Sequence, residues 1–114
     1  MNAPSSRGAF VQLIEYTTDR PDEVQRILDR WLGAVGSART TRWYLTAADR
    51  DQADRYVHLV EFPSHAAAMT NSGHPATATF ADELRAICRG AITFRDLDVR
   101  AAGDISPEGR EPVM

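Results

Sequence analysis

Tyr56-Val57-His58-Leu59-Val60-Glu61-Phe62-Pro63-Ser64 is the stretch on which the fold turns. Seven residues rich in β-branched and aromatic side chains run into a proline, which cannot continue a strand ladder. Alternation places Val57, Leu59 and Glu61 on one face and Tyr56, His58, Val60 and Phe62 on the other. Both faces are largely apolar, so both need a cover. Ser64 follows at the position of a helix N-cap, leading a short helix through His65, Ala66, Ala67, Ala68 and Met69.

Upstream, Phe10 to Tyr16 has the same character, with Val11 and Leu13 opposite Phe10, Gln12, Ile14 and Tyr16. Between these two strands the period changes. Val24, Ile27, Leu28, Trp31, Leu32 and Val35 recur as one helical stripe. Asp19 is the expected N-cap, Pro21, Asp22 and Glu23 form the first turn, and Gly33 and Gly36 end the helix. Thr40 to Thr46 reads as a second strand, and Ala48 to Arg55 as a charged hairpin loop. Downstream of the opening stretch, Asn71, Ser72 and Gly73 interrupt the helix, and Pro75 starts its successor. Phe80, Leu84, Ile87 and Cys88 form that helix's stripe. Gly90 closes it, and Ala91 to Val99 is the last strand. The order β-α-β-β-α-β predicts an α+β, ferredoxin-like fold: a four-stranded antiparallel sheet with its helices on one face.

The compact aliphatic set, Val11, Leu13, Val57 and Leu59, is expected under the helices. The opposite face then carries Phe10, Ile14, Tyr16, Tyr56, Val60 and Phe62, with Gln12 and His58 among them. Left open, it would exceed the apolar patch a monomer usually exposes, and a second copy of the same sheet is the simplest cover. A homodimer is therefore expected.

Composition bounds the function. At 114 residues the chain is one domain. We read Met1 to Gly8 as a leader, residues 9–100 as the folded body and Ala101 to Met114 as a loose tail. No apolar run of about 18 residues is available to cross a membrane, and no secretory h-region opens the chain, so a cytoplasmic location is expected. A single cysteine, Cys88, leaves no intrachain disulfide and no multi-cysteine zinc site. A net charge of −3 argues against nucleic acid as a partner. All 13 basic residues are arginine, which removes Schiff-base and P-loop lysine chemistry. His58, His65 and His74 have no metal-motif spacing, so no metal site is expected.

The strand Phe10-Val11-Gln12-Leu13-Ile14-Glu15-Tyr16, the run Val60-Glu61-Phe62-Pro63-Ser64 into Ala68-Met69, Asn71-Ser72-Gly73-His74-Pro75 and the final Phe94-Arg95-Asp96-Leu97-Asp98-Val99 together resemble the dimeric α/β-barrel superfamily. The chain is most similar there to small proteins related to antibiotic biosynthesis monooxygenases, over roughly Gly8 to Arg100. The resemblance implies two ferredoxin-like subunits forming a barrel, each with a ligand cavity between sheet and helices. Some members of the superfamily oxidise polyketide quinols with O2 and no cofactor, as part of secondary metabolism. Others degrade haem, are cyclases, or have no known activity. The oxidising members use an Asn, a Trp and a His around the cavity, for which Asn71, Trp43 and His58 or His74 are the loose counterparts.

The expected function is thus a cofactor-independent oxidoreductase of the monooxygenase type, acting on an aromatic or polyphenolic small molecule. Haem held by one histidine is a secondary option. A non-catalytic binding or interaction domain and a cofactor-free cyclase or isomerase are the alternatives. His58, mid-strand and titrating near neutral pH, is the expected base. Asn71 is the expected stabiliser of developing oxyanion charge. His74 stands at a loop-to-helix junction where a cavity mouth is expected. Gln12, on the face of His58, can orient a ligand. Tyr16, Trp43, Tyr44, Tyr56 and Phe62 supply flat walls for a polycyclic substrate. Arg95 can bind a phenolate or carboxylate.

Overall fold

The computed structural model describes residues 9–36 and 41–103. Its elements are β1 (Phe10–Thr17), α1 (Pro21–Val35), β2 (Trp43–Ala48), β3 (Arg55–Phe62), α2 (His65–Ser72), α3 (Pro75–Ile87) and β4 (Thr93–Asp98). The strands form one antiparallel sheet in the order β2-β3-β1-β4. This is the expected ferredoxin-like topology, with its second helix broken in two. β2 begins and ends later than the sequence suggests, and β4 is shorter at both ends. The expected leader lies outside the described residues. Of the expected tail only residues 101–103 are described, and they form neither helix nor strand. Among the described residues, no helix is long and apolar enough to cross a membrane.

The helices follow their local signals closely. α1 buries Val24, Ile27, Leu28, Trp31 and Val35, five of the six expected stripe residues. Its cap differs from expectation. Arg20, not Asp19, is the N-cap and makes no side-chain cap bond. Thr18 instead fixes the chain leading into the helix: its hydroxyl oxygen accepts from the Arg20 N–H at 3.1 Å and donates to the Ile87 carbonyl at 2.6 Å. Gly33 remains helical and solvent-exposed, while Gly36 ends the helix at φ 54°, a backbone conformation that favours glycine. Ser64 Oγ caps α2 by accepting from the Ala67 N–H at 3.1 Å, as its position predicts.

The assignment of the sheet's two faces is reversed. Phe10, Val60 and Phe62 pack with Ala68 of α2, and Ile14 and Tyr16 pack with Val24 of α1 and Leu84 of α3. The aromatic face therefore lies under the helices, and Val11, Leu13, Val57 and Leu59 are on the open side, half-exposed. The physical reason is reach. Alternation sorts residues into two sets but does not say which set meets the helices. Helices stand well off a sheet, and large rings fill that gap to normal packing density where short aliphatic side chains would leave voids. Among the described residues, the patch without a cover is thus the aliphatic one. It continues onto edge strand β4, where Leu97 is 42% exposed.

Candidate active site

The broken helix gives the site its shape. Gly73 ends α2, and Pro75 restarts the chain as α3, with His74 as N-cap. The turn presses Asn71 inward until only 5% of it is exposed. Its carbonyl accepts from the Thr77 hydroxyl at 2.8 Å, and the Thr77 oxygen in turn accepts from Trp31 Nε1 at 2.9 Å. This short relay ties α1, α2 and α3 together over the sheet. Beneath it lies a cavity of about 40 Å³. Gln12, Ile14, His58, Val60 and Phe62 form its floor. Leu28, Trp31, Asn71, Thr77 and Phe80 form its roof.

Two polar groups in this cavity stand out. Asn71 Oδ1 is fully buried and has no hydrogen-bond partner. An orphaned acceptor of this kind costs about 1–3 kcal/mol unless something donates to it. His58 is 3% exposed. Its Nδ1 lies 2.9 Å from Thr46 Oγ1 on β2, and the Tyr44 ring stacks on it at 5.5 Å and 21°. No charged side chain lines the cavity. Burial alone therefore pushes the imidazole pKa down to about 4, and His58 is neutral at neutral pH. With Nδ1 engaged by Thr46, Nε2 is the nitrogen left for a ligand.

Of the residues singled out from sequence, the fold gathers His58, Asn71, Gln12 and Phe62 around one cavity, with Tyr44 against the histidine. Gln12 Nε2 leans outward, donating to Asp96 Oδ1 at 3.3 Å. The remaining candidates are elsewhere. His74 accepts the Ala76 N–H on Nδ1 at 3.0 Å and serves as a helix cap, not a cavity residue. Tyr16 and Tyr56 stack on each other at 5.8 Å in the neighbouring core cluster. Burial, with the nearby Cys88 and Tyr56, pushes the Tyr16 hydroxyl up to about 12, so it holds its proton. Trp43 alternates to the opposite side of the sheet from Tyr44 and does not meet the cavity. Arg95 is exposed on the open face, 3.9 Å from Glu15. Trp31, Thr77 and Phe80 line the cavity without having been expected there. Trp31 and Phe80 read from sequence as ordinary stripe residues, and Thr77 carries no local signal at all.

The donor set does not suit haem. His58 is enclosed in a cavity far too small for a macrocycle, His74 is committed to its cap, and His65 is exposed with its ring edge-on to Phe10. Among the described residues, no group of three or more His, Cys, Asp or Glu is placed to hold a metal ion.

No family model matches the chain, and no match was found among curated proteins. Solved structures do match. SnoaB, a cofactor-independent oxygenase from Streptomyces nogalater, superposes with a TM-score of 0.68 at 18% identity, covering 82% of this chain and 95% of its own. An antibiotic biosynthesis monooxygenase matches with a TM-score of 0.63 at 15% identity, covering 82% and 99%. Rv0793 from Mycobacterium tuberculosis matches with a TM-score of 0.66 at 13% identity, covering 82% and 96%. Identities this low make the likeness one of fold, and the chain has the ferredoxin-like fold of antibiotic biosynthesis monooxygenase-like proteins.

Proposed function

We propose that this protein is a cofactor-independent oxygenase acting on an aromatic or polyphenolic small molecule. The observation that carries the reading is the orphaned Asn71 Oδ1 in an apolar cavity shared with a neutral, buried His58. A phenolic hydroxyl is the donor that satisfies Asn71, and an aromatic ring suits the walls made by Trp31, Phe62 and Phe80. SnoaB, of the same fold, supports the reaction class.

Each step balances without an external reductant. In the tautomer whose Nδ1–H donates to Thr46 Oγ1, His58 receives the substrate's acidic proton on Nε2. A base of pKa about 4 is weak while the cavity is empty, but the substrate anion beside the imidazolium favours the charged form and raises that value. The anion donates electrons to O2. For an anthrone-type ring CH2, both C–H bonds break. One oxygen atom becomes the new carbonyl, and the other leaves as water with the two hydrogens. The substrate supplies all the electrons that O2 takes up. The Asn71 side-chain N–H donates to the oxygen on which negative charge develops, while Oδ1 accepts from a neighbouring phenolic hydroxyl.

Oxygen uptake with a panel of quinols and anthrones tests this. Consumption above background that His58→Ala and Asn71→Ala each lower by about 10²-fold or more, with melting temperatures retained, supports it. Ligand-induced thermal stabilisation with no uptake favours the non-catalytic binding reading, to which the small cavity volume gives some weight.

The functional unit in this proposal is a homodimer. Val11, Leu13, Leu59 and Leu97 of the open face, together with residues 98–103, line a depression of about 510 Å³ that no other described residue covers, and a second copy of the sheet is the cover this proposal gives it. A solution mass near twice the 12.6 kDa of one chain supports the dimer, and a stable monomer at micromolar concentration removes it.

A further inference from the structure

The reactive cavity is smaller than the ligand proposed for it. About 40 Å³ holds a few waters, whereas sites for small molecules usually enclose about 300–1,000 Å³. A groove of about 340 Å³ lies between α1 and α3, on the far side of two aromatic rings. Trp31 and Phe80 line both spaces, their ring centroids 5.8 Å apart and tilted by 46°. They are the shared wall. The two rings are held differently. Trp31 is 8% exposed and pinned by its bond to Thr77, while Phe80 is only half-buried and has no polar group to anchor it. A rotamer change at Phe80 would breach the wall without breaking a hydrogen bond. The groove itself stays open because small side chains, Ala34 and Ala76, face it from the two helices. At its rim, Arg30 Nη2 reaches Glu83 Oε2 at 2.9 Å and bridges α1 to α3.

We propose that the α1–α3 groove is the outer half of the ligand site, joined to the inner cavity when the Phe80 ring turns aside. The proposal rests on the reading of the inner cavity as the reactive site, and it narrows the ligand. The occupant is a flat fused-ring phenol. Its hydroxylated leading ring lies at Asn71 and His58. Its apolar body lies along Ala34 and Ala76, and a polar substituent at its far end reaches Arg30. A single-ring phenol fills only the inner half. Groove residues therefore set preference for ring number, while Asn71 sets the requirement for a hydroxyl.

Intrinsic fluorescence tests this in a Trp43→Phe background, where Trp31, seated in the wall, is the remaining indole. Dithranol, a three-ring dihydroxy anthrone, and hydroquinone are titrated separately. Ala34→Leu fills the groove at an exposed helical position where it does not threaten folding. It is expected to weaken dithranol by about tenfold or more while leaving hydroquinone within about twofold. Phe80→Ala is expected to raise the association rate of dithranol by about tenfold. If Ala34→Leu binds dithranol as tightly as its parent while Asn71→Ala abolishes binding, the groove is overturned and the inner site stands. If Ala34→Leu weakens both probes equally, the ring-number selectivity is overturned. If Asn71→Ala leaves both affinities unchanged, or neither probe binds the parent, the inner-site reading and the groove fall together.

Discussion

Acidification gives the sharpest check on the candidate site, because one buried histidine dominates its electrostatics. His58 has a pKa of about 4 in the folded chain against an ordinary 6.5. Between those values the unfolded chain holds a proton that the folded chain does not, so stability falls as pH falls. The contribution is fully present above about pH 6.5, declines through the window and levels off below about pH 4. A depression from 6.5 to about 4, at about 1.4 kcal/mol per unit, amounts to about 3 kcal/mol. Carboxylates titrate in the same range, so the measurement is a difference. Urea unfolding of the protein and of His58→Asn, whose amide retains a polar partner for Thr46, is followed from about pH 7 to about pH 4. The variant is expected to be the less stable protein at neutral pH, where it leaves space in the core. Its disadvantage is expected to shrink by about 3 kcal/mol on acidification. A difference that stays flat within about 0.5 kcal/mol refutes the reasoning, since His58 would then titrate alike in both states. So would an imidazole NMR titration with a midpoint near its ordinary value.

Four further outcomes are expected. Leu59→Asp on the open face should yield folded monomers by sedimentation, whereas Phe62→Asp buries an unpartnered charge under α2 and should lose cooperative unfolding altogether. Thr77→Val leaves the Trp31 indole N–H unpaired and should cost about 1–3 kcal/mol in denaturant unfolding, with a shift in tryptophan emission. Tyr16 should keep its proton to about pH 12 in an ultraviolet titration, and Tyr16→Phe should leave dithranol binding intact because the ring lies outside the cavity. Burial raises the Cys88 thiol pKa, so its reaction with a disulfide reagent at mildly alkaline pH should be slower than that of a free thiol and should accelerate in urea.

Local chemistry wrote most of the secondary structure directly into the chain. The spacing of Val24, Ile27, Leu28, Trp31 and Val35 admits only a one-sided helix. Ser64 and Pro75 start helices with chemistry that acts within a few residues. The alternation in β1 and β3 and the break at Asn71 to Gly73 supply the rest of the element order. His58 and Gln12 could be singled out because a polar residue among apolar neighbours is a local signal, and Asn71 because it stands where the helix breaks. The tertiary structure alone decided which face of the sheet the helices cover. Both alternating sets are apolar, and only the volume between sheet and helices distinguishes rings from short aliphatic chains. It also decided which polar residues meet. Trp31 and Thr77 are 46 positions apart and touch only because α1 and α3 cross the same sheet. His74 stands at a loop-to-helix junction where a cavity mouth is expected, but its ring nitrogen is consumed by the first turn of α3. The difference is geometric: a period sorts residues into faces, while a cavity forms only where faces of separate elements close on one another.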